Sequence, residues 1–438
     1  MLHVHRAPFT PQAKSVGIVR KVDDRMRPAF PAMNAAMPPC TAAGTAGQRG
    51  AAAATLLLSA PAPVQVAADG YRLDTKFVEG MRAHVADWGG KIRCIIWESD
   101  DTIPFGRVYR PDELDFEMVV LGKGAPVPPA ALTGISIALV SADMPGFPAI
   151  CQSIASAGIP YAVGVEYTLE TRLRTLWLDR EVSGMRKMRS SLWLLRNERQ
   201  VRSRLKAAVG AQFNGYPAFS AYSRLADDAH LYFDNRMGPE MMATPAEVAV
   251  RNERLLAGYP LRLIHSGRLE PMKGSQDLLP VMRALAAMGV PATLDIYGAG
   301  SLEQEIRDGL GEFDGAVRLH APVDFKTKLV PLSRTQADVF LSCHRQSDPS
   351  CTYLEAMGCG LAIAGYSNRM WCRLSRESGG GLAVPLGSTK QLAEAIGRWN
   401  LDRPAIAESA RSGLAFARRH DFGQEFAGRM AHLRALIP

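Results

Sequence analysis

No stretch of the 438 residues approaches the ~20 uninterrupted apolar residues that a membrane-spanning helix requires. The best run, Ala51–Ala60, is shorter and leads into a proline-bearing turn, so it reads as a buried first strand. It also lies too far into the chain for a secretion signal. Cysteine is scarce and badly spaced for cross-linking. The seven are Cys40, Cys94, Cys151, Cys343, Cys351, Cys359 and Cys372, an odd count with no pair separated by only two residues. That argues against a disulfide framework and for a reducing cytoplasm. Four of them fall between 343 and 372 beside His344, but structural zinc takes closer pairs. Small buried residues are the better reading, and no metal is expected.

What is present is a soluble globular composition, 47% hydrophobic and 21% charged. The net charge of +8 is unevenly placed. Residues 1–50 carry seven Lys/Arg against two Asp, and residues 181–206 carry eight against two Glu. These two segments exceed the whole surplus, so the remaining chain is slightly acidic. Local surface contacts fit this pattern better than nucleic-acid binding does.

Residues 1–52 are rich in Ala, Pro, Gly and basic residues without a lasting period, which predicts a mobile tail. From 53 to 237, short apolar runs alternate with amphipathic stretches. Strands are expected at Ala54–Ser59, Ile92–Trp97, Phe116–Leu121, Ile135–Val140 and Tyr161–Val165, with helices at Phe77–Trp88 and Phe147–Ala157. Residues 238–260 read as a linker. A second alternating series fills 261–402, with strands at Leu261–Ser266, Thr293–Tyr297, Val317–Leu319, Val339–Cys343, Leu361–Ala364 and Leu382–Pro385. Two helices without a following strand close the chain over 403–438 and are expected to pack back toward the first half. The fold class is therefore α/β: two Rossmann-like, doubly wound domains facing a central cleft.

Residues 184–208 predict one long helix. Met185, Met188, Leu192, Leu195 and Arg199 share a stripe, among Arg186, Lys187, Arg189, Arg196, Arg202, Arg204 and Lys206. Such a helix could lie on an anionic membrane surface, or pack its stripe onto its own domain. The sequence leaves both open.

Three motifs carry chemistry. In His265-Ser-Gly-Arg-Leu-Glu-Pro-Met-Lys-Gly274, Gly267 and Arg268 end a strand, and Lys273 with Gly274 is expected to open a helix. Two cations at a strand–loop–helix corner suit a diphosphate. In Asp348-Pro-Ser-Cys-Thr-Tyr-Leu-Glu355, Ser350, Cys351 and Thr352 sit at an expected helix start, and Glu355 can read a ribose diol. Ser350 and Glu355 could instead cap that helix. In Tyr297-Gly-Ala-Gly-Ser-Leu-Glu303, the third glycine of a dinucleotide fingerprint is replaced by Glu303, which sets an oxidoreductase aside. Gly298 and Gly300 are expected to let the backbone pass close to a base or phosphate. In the first half, Asp143 and Glu166 follow strands and could orient an acceptor hydroxyl, or serve as caps and loop charges.

In this order and spacing, with Leu354-Glu355-Ala356-Met357-Gly358-Cys359-Gly360, the motifs resemble family-4 retaining glycosyltransferases of the GT-B fold, of a bacterial exopolysaccharide-type branch. The resemblance spans about 261–420 and is looser from 53 to 235. It implies that Arg268 and Lys273 hold the donor diphosphate and Glu355 the ribose, with transfer that retains configuration and needs no metal or other cofactor. The donor would be a UDP- or GDP-sugar. The acceptor would be a glycan or a polyprenyl-diphosphate-linked glycan in polysaccharide synthesis, at the cytoplasmic face of the membrane. The family often carries a second acidic residue eight positions before the ribose-binding one. Here Ser347 stands there, with Asp348 beside it. A nucleotide-sugar epimerase, or a non-catalytic subunit docking through 184–208, are the competing expectations.

Overall fold

The computed structural model describes residues 54–438 apart from 60, 102, 104, 105 and 145, so the expected tail over 1–52 lies outside the described residues. Two all-parallel sheets organise the chain. The first runs in the spatial order Ala229–Tyr232, Gly210–Asn214, Tyr161–Val165, Ile137–Ser141, Thr55–Ser59, Lys91–Trp97, Glu117–Leu121. The second runs Val317–His320, Ala292–Tyr297, Leu261–Ser266, Val339–Ser342, Ala362–Tyr366, Gly381–Val384. In each, the first strand of the series pairs on one side with the second and on the other with the fourth. The connection therefore reverses direction there, opening a crevice at the carboxyl ends of two neighbouring strands.

Both faces of each sheet are covered, which explains apolar runs such as Leu56–Leu58 and Val339–Leu341 in the central strands. In Thr55–Ser59, Leu57 points into one core with Val140, Val163 and Phe213, while Leu56 and Leu58 point into another with Trp88 and Leu139. The same alternation divides Leu263 from Ile264 in the second sheet. Helix ends follow side-chain chemistry. Helix Thr75–Trp88 starts where the Asp74 carboxylate accepts the Lys76 N–H at 2.8 Å and stops at Gly89 in the left-handed region.

Several elements depart from the sequence reading. The expected linker 238–260 contains a helix, Pro245–Leu256, opened by a reciprocal Thr244–Glu247 capping box. A small antiparallel sheet of Gln65–Ala67, Gly70–Asp74 and Gly106–Tyr109 was not foreseen, nor was helix Leu169–Leu178. Of the two closing helices, only Phe422–Ala435 crosses to the first half, burying Met430 and Leu433 with Leu56 and Trp88. Arg403–Ala417 stays on the second half, where Ile406, Ala410 and Leu414 join its cores.

Helix Gly184–Ala207 forms as expected, but it does not bury the expected stripe. It packs through Glu198, Val201 and Leu205, leaving Met185, Met188, Leu192 and Leu195 exposed. Glu198 tolerates burial because it accepts from Arg202 Nε at 2.7 Å and from the Tyr222 hydroxyl at 3.0 Å.

Candidate active site

The crevice of the second sheet lies between Leu261–Ser266 and Val339–Ser342, and the loops leaving these strands carry the first two motifs. After Ser266 the chain passes Arg268 and enters a 3₁₀ turn, Pro271–Lys273, closed by Gly274 at φ +72°. Lys273 and Gly274 thus end a turn, and the helix they were expected to open begins at Leu278. Gly274 is required twice over. Its φ is left-handed, and a Cβ would meet the Cys343 carbonyl oxygen at 1.7 Å. That close approach locks the Lys273 turn against the end of the neighbouring strand.

Lys273 is buried, and its ammonium pairs with the Asp348 carboxylate and lies 3.4 Å from Ser350 Oγ. Two buried imidazoles lie near it. Burial pushes His265 down to about 4 and His344 well below its usual range, so both are neutral. Among the described residues Asp348 Oδ1, His344 Nδ1 and His265 Nε2 have no hydrogen-bond partner, and the first two lie 3.8 Å apart. Ser347 is spent on structure: its Oγ accepts the Arg369 N–H at 3.1 Å. Asp348 is thus the acidic group beside Lys273. Arg268, by contrast, is exposed, and its guanidinium makes no hydrogen bond or ion pair among the described residues.

Ser350 continues the line toward Glu355, its Oγ lying 2.9 Å from Thr352 Oγ1. Helix Thr352–Gly358 follows Cys351, and no side chain caps it, so neither Ser350 nor Glu355 acts as a cap. Burial raises the Cys351 thiol well above its usual range. The buried Glu355 carboxylate instead receives Arg236 bidentately, from Nε at 2.7 Å and Nη2 at 3.1 Å. The Arg236 guanidinium also stacks over the Phe325 ring at 3.7 Å. Arg236 was missed by sequence reasoning because it sits in an irregular segment 119 positions from Glu355. Glu355 and Thr352 line a small pocket with Ser266, Phe325 and Phe340, whose free space of about 20 Å³ holds little more than one water. Arg268 and Lys273 do not line it.

Gly298 and Gly300 stand next to this loop. A Cβ on Gly298 would meet the Gly267 carbonyl oxygen at 2.0 Å, and one on Gly300 would meet the Leu269 carbonyl oxygen at 2.6 Å. The approach these glycines permit in the structure is therefore to the protein's own Gly267–Leu269 backbone. Glu270 ties the two loops together through the Ser301 N–H at 3.0 Å and hydroxyl at 2.6 Å.

The first sheet offers the opposing wall. Its crevice, between Thr55–Ser59 and Ile137–Ser141, holds a cavity of about 240 Å³ lined by Ser59, His84, Asp143, Glu166, Tyr232 and Arg429 among others. Neither acid caps a helix there, since Gly146 and Thr168 hold those positions. Asp143 pairs with Arg172 at 2.6 Å and accepts the Glu166 N–H at 2.9 Å. Burial, with Asp143 and Asp348 nearby, raises Glu166 to about 7 despite a hydrogen bond from Tyr167. Glu166 and Asp348 thus feel each other across the two halves. Helix Leu169–Leu178 completes the join: Thr171 Oγ1 donates to Ser347 O at 3.2 Å, Thr175 Oγ1 to Gln346 Oε1 at 2.6 Å, and Arg174 Nη1 to Arg345 O at 3.2 Å.

Comparison with known proteins agrees with this layout. Residues 260–402 match the family model described as Glycosyl transferases group 1. No curated protein matches the sequence. The fold is similar to that of Anabaena HepE in complex with UDP, with TM-score 0.58 and 14% identity over 86% of this chain and 98% of that one. Sucrose-phosphate synthase of Thermosynechococcus elongatus gives TM-score 0.59 and 15% identity over 87% and 98%. WaaG, a glycosyltransferase involved in lipopolysaccharide biosynthesis, gives 0.54 and 12% over 86% and 98%. The chain has the GT-B fold and carries a Glycosyl transferases group 1 segment over 260–402.

Proposed function

We propose that the protein is a glycosyltransferase that moves a sugar from a nucleoside-diphosphate donor to a hydroxyl acceptor. The observation that carries the reading is the placement of Arg268 and Lys273 at the strand-order reversal of the one segment that matches a glycosyltransferase family. In this proposal the ribose diol sits on Glu355, at the mouth of the small pocket beside Ser266 and Phe325. Arg236 fixes that carboxylate so that it need not reorganise on binding. The diphosphate lies over Ser350–Thr352 toward Lys273 and Arg268. HepE was solved with UDP bound, which supports a donor of this class.

The acceptor enters from the cavity of the first sheet. Its hydroxyl oxygen bonds to the anomeric carbon as the bond from that carbon to the diphosphate oxygen breaks, and the nucleoside diphosphate leaves with the electron pair. Lys273 and Arg268 stabilise the charge that develops on it. Glu166, titrating near 7, accepts the hydrogen bond of the attacking hydroxyl and can take its proton. Asp348 takes the place of the acid missing at Ser347 and holds the Lys273 ammonium toward the donor. Side-chain cations supply the positive charge, so the rate is expected to be unchanged by a chelator. Retention, a polysaccharide acceptor and a cytoplasmic site of action rest on the sequence resemblance.

The test is a panel of UDP- and GDP-sugars with glycan acceptors, read by mass spectrometry. Donor-dependent mass gain on the acceptor is expected. Donor converted to an isomeric nucleotide sugar without acceptor would replace transfer by epimerisation, and no turnover of any donor would remove the reading.

A further inference from the structure

Six of the fifteen exposed large apolar side chains among the described residues fall within residues 177–195. Met185, Met188, Leu192, Trp193 and Leu195 are 48–74% exposed, and Trp177 joins them from the end of helix Leu169–Leu178. The others are scattered singly, as on any soluble surface. A helix advances about 100° per residue, so the nine residues from Leu192 to Val201 make about two and a half turns. The exposed apolar row therefore lies opposite the Val201–Leu205 row that packs onto the first half. The helix has an inner apolar face that folding uses and an outer one that folding leaves bare.

Basic residues surround the outer face. Helix Gly184–Ala207 holds eight Lys/Arg and a single acid, Glu198, which is turned inward. Arg186, Arg189 and Arg196 are exposed beside the apolar row. Lys187 anchors Trp177, donating to its carbonyl at 3.1 Å with the ammonium over the indole, and Trp177 Nε1 donates to Ser191 at 3.2 Å. The two elements thus make one held surface. A nucleic-acid contact would use the cations and leave five apolar side chains in water. A bilayer interface uses both: acyl chains receive Met, Leu and Trp, while anionic headgroups meet the flanking guanidinium groups.

We infer that the outer face of Gly184–Ala207, with Trp177, is a docking surface for an anionic lipid bilayer, the helix lying in the headgroup plane. The inference does not depend on the proposed transfer reaction.

Flotation of the full chain with phosphatidylcholine vesicles, alone or mixed with phosphatidylglycerol, tests it. The native protein is expected to float with the anionic vesicles, less so as salt rises, and to stay down with the neutral ones. The double variant Leu192→Glu with Trp193→Glu should lose tenfold or more of the bound fraction at an unchanged melting temperature. Arg186→Gln and Arg189→Gln should each cost about fivefold on anionic vesicles. Native protein that ignores both vesicles, or a double variant that floats like the native, overturns the proposal. So does a native dimer in vesicle-free sedimentation that the same double substitution dissolves, because the face would then serve a second copy.

Discussion

The two crevices handle charge differently. In the second half, the buried charges at the crevice are already paired: Lys273 with Asp348 and Glu355 with Arg236, and nearby Asp277 with Arg345 at 2.6 Å. In the first half, Asp143 is fixed by Arg172, but Glu166 makes no ion pair among the described residues, and burial raises it to about 7. Fixed pairs preorganise a site for a ligand of constant charge, such as a diphosphate. A carboxyl poised near 7 suits a group whose proton is exchanged during reaction.

The comparison is broken most forcefully at Lys273. Lys273→Ala leaves Asp348 buried and unpaired, and urea denaturation should show a loss of about 3–5 kcal/mol. Adding Asp348→Asn should recover much of it. Gly274→Ala, which forces a Cβ into the Cys343 carbonyl, should cost at least about 2 kcal/mol in the same assay. Glu355→Gln breaks the bidentate Arg236 pair, and calorimetry should show nucleoside-diphosphate affinity down about tenfold to a hundredfold.

On the other side, Glu166 makes a pH prediction whose sign follows from its raised value. Between its ordinary range near 4.5 and about 7, the unfolded chain has released this proton while the folded chain keeps it. Its contribution to stability therefore falls as pH rises through that window and levels off above 7. Denaturation from pH 4.5 to 8 should show that component vanish in Glu166→Gln, whose transfer rate should also lose its rise with pH near 7. The smallest effect is expected at Arg268, where Ala should change stability by no more than about 0.5 kcal/mol, because that side chain is exposed and unpaired among the described residues.

The two α/β series were legible because central strands contain continuous apolar runs such as Leu56–Leu58 and Val339–Leu341, covered on both faces. The positions of Lys273 and Glu355 were legible because their motifs are local, in the loops and first turns that follow two strands. Arg236 was not, since its partner lies far along the chain and its own segment has no period. Gln65–Ala67 was missed because three residues carry too little alternation to register. The Thr244–Glu247 box was a readable signal, overridden by the turn-rich sequence around it. The apolar row on Gly184–Ala207 was legible but its exposure was left open, because periodicity shows that a face is apolar without showing whether it is covered.

The central claim is that Arg268 and Lys273 grip a diphosphate, and Arg268 tests it most directly because its removal leaves the fold intact. UDP and GDP should be titrated calorimetrically into native protein and Arg268→Ala after matching their melting temperatures. The account predicts that native protein binds one of the two, and that the variant binds it at least tenfold more weakly. Equal affinity in the two proteins, or no binding of either nucleotide by the native protein, would contradict it.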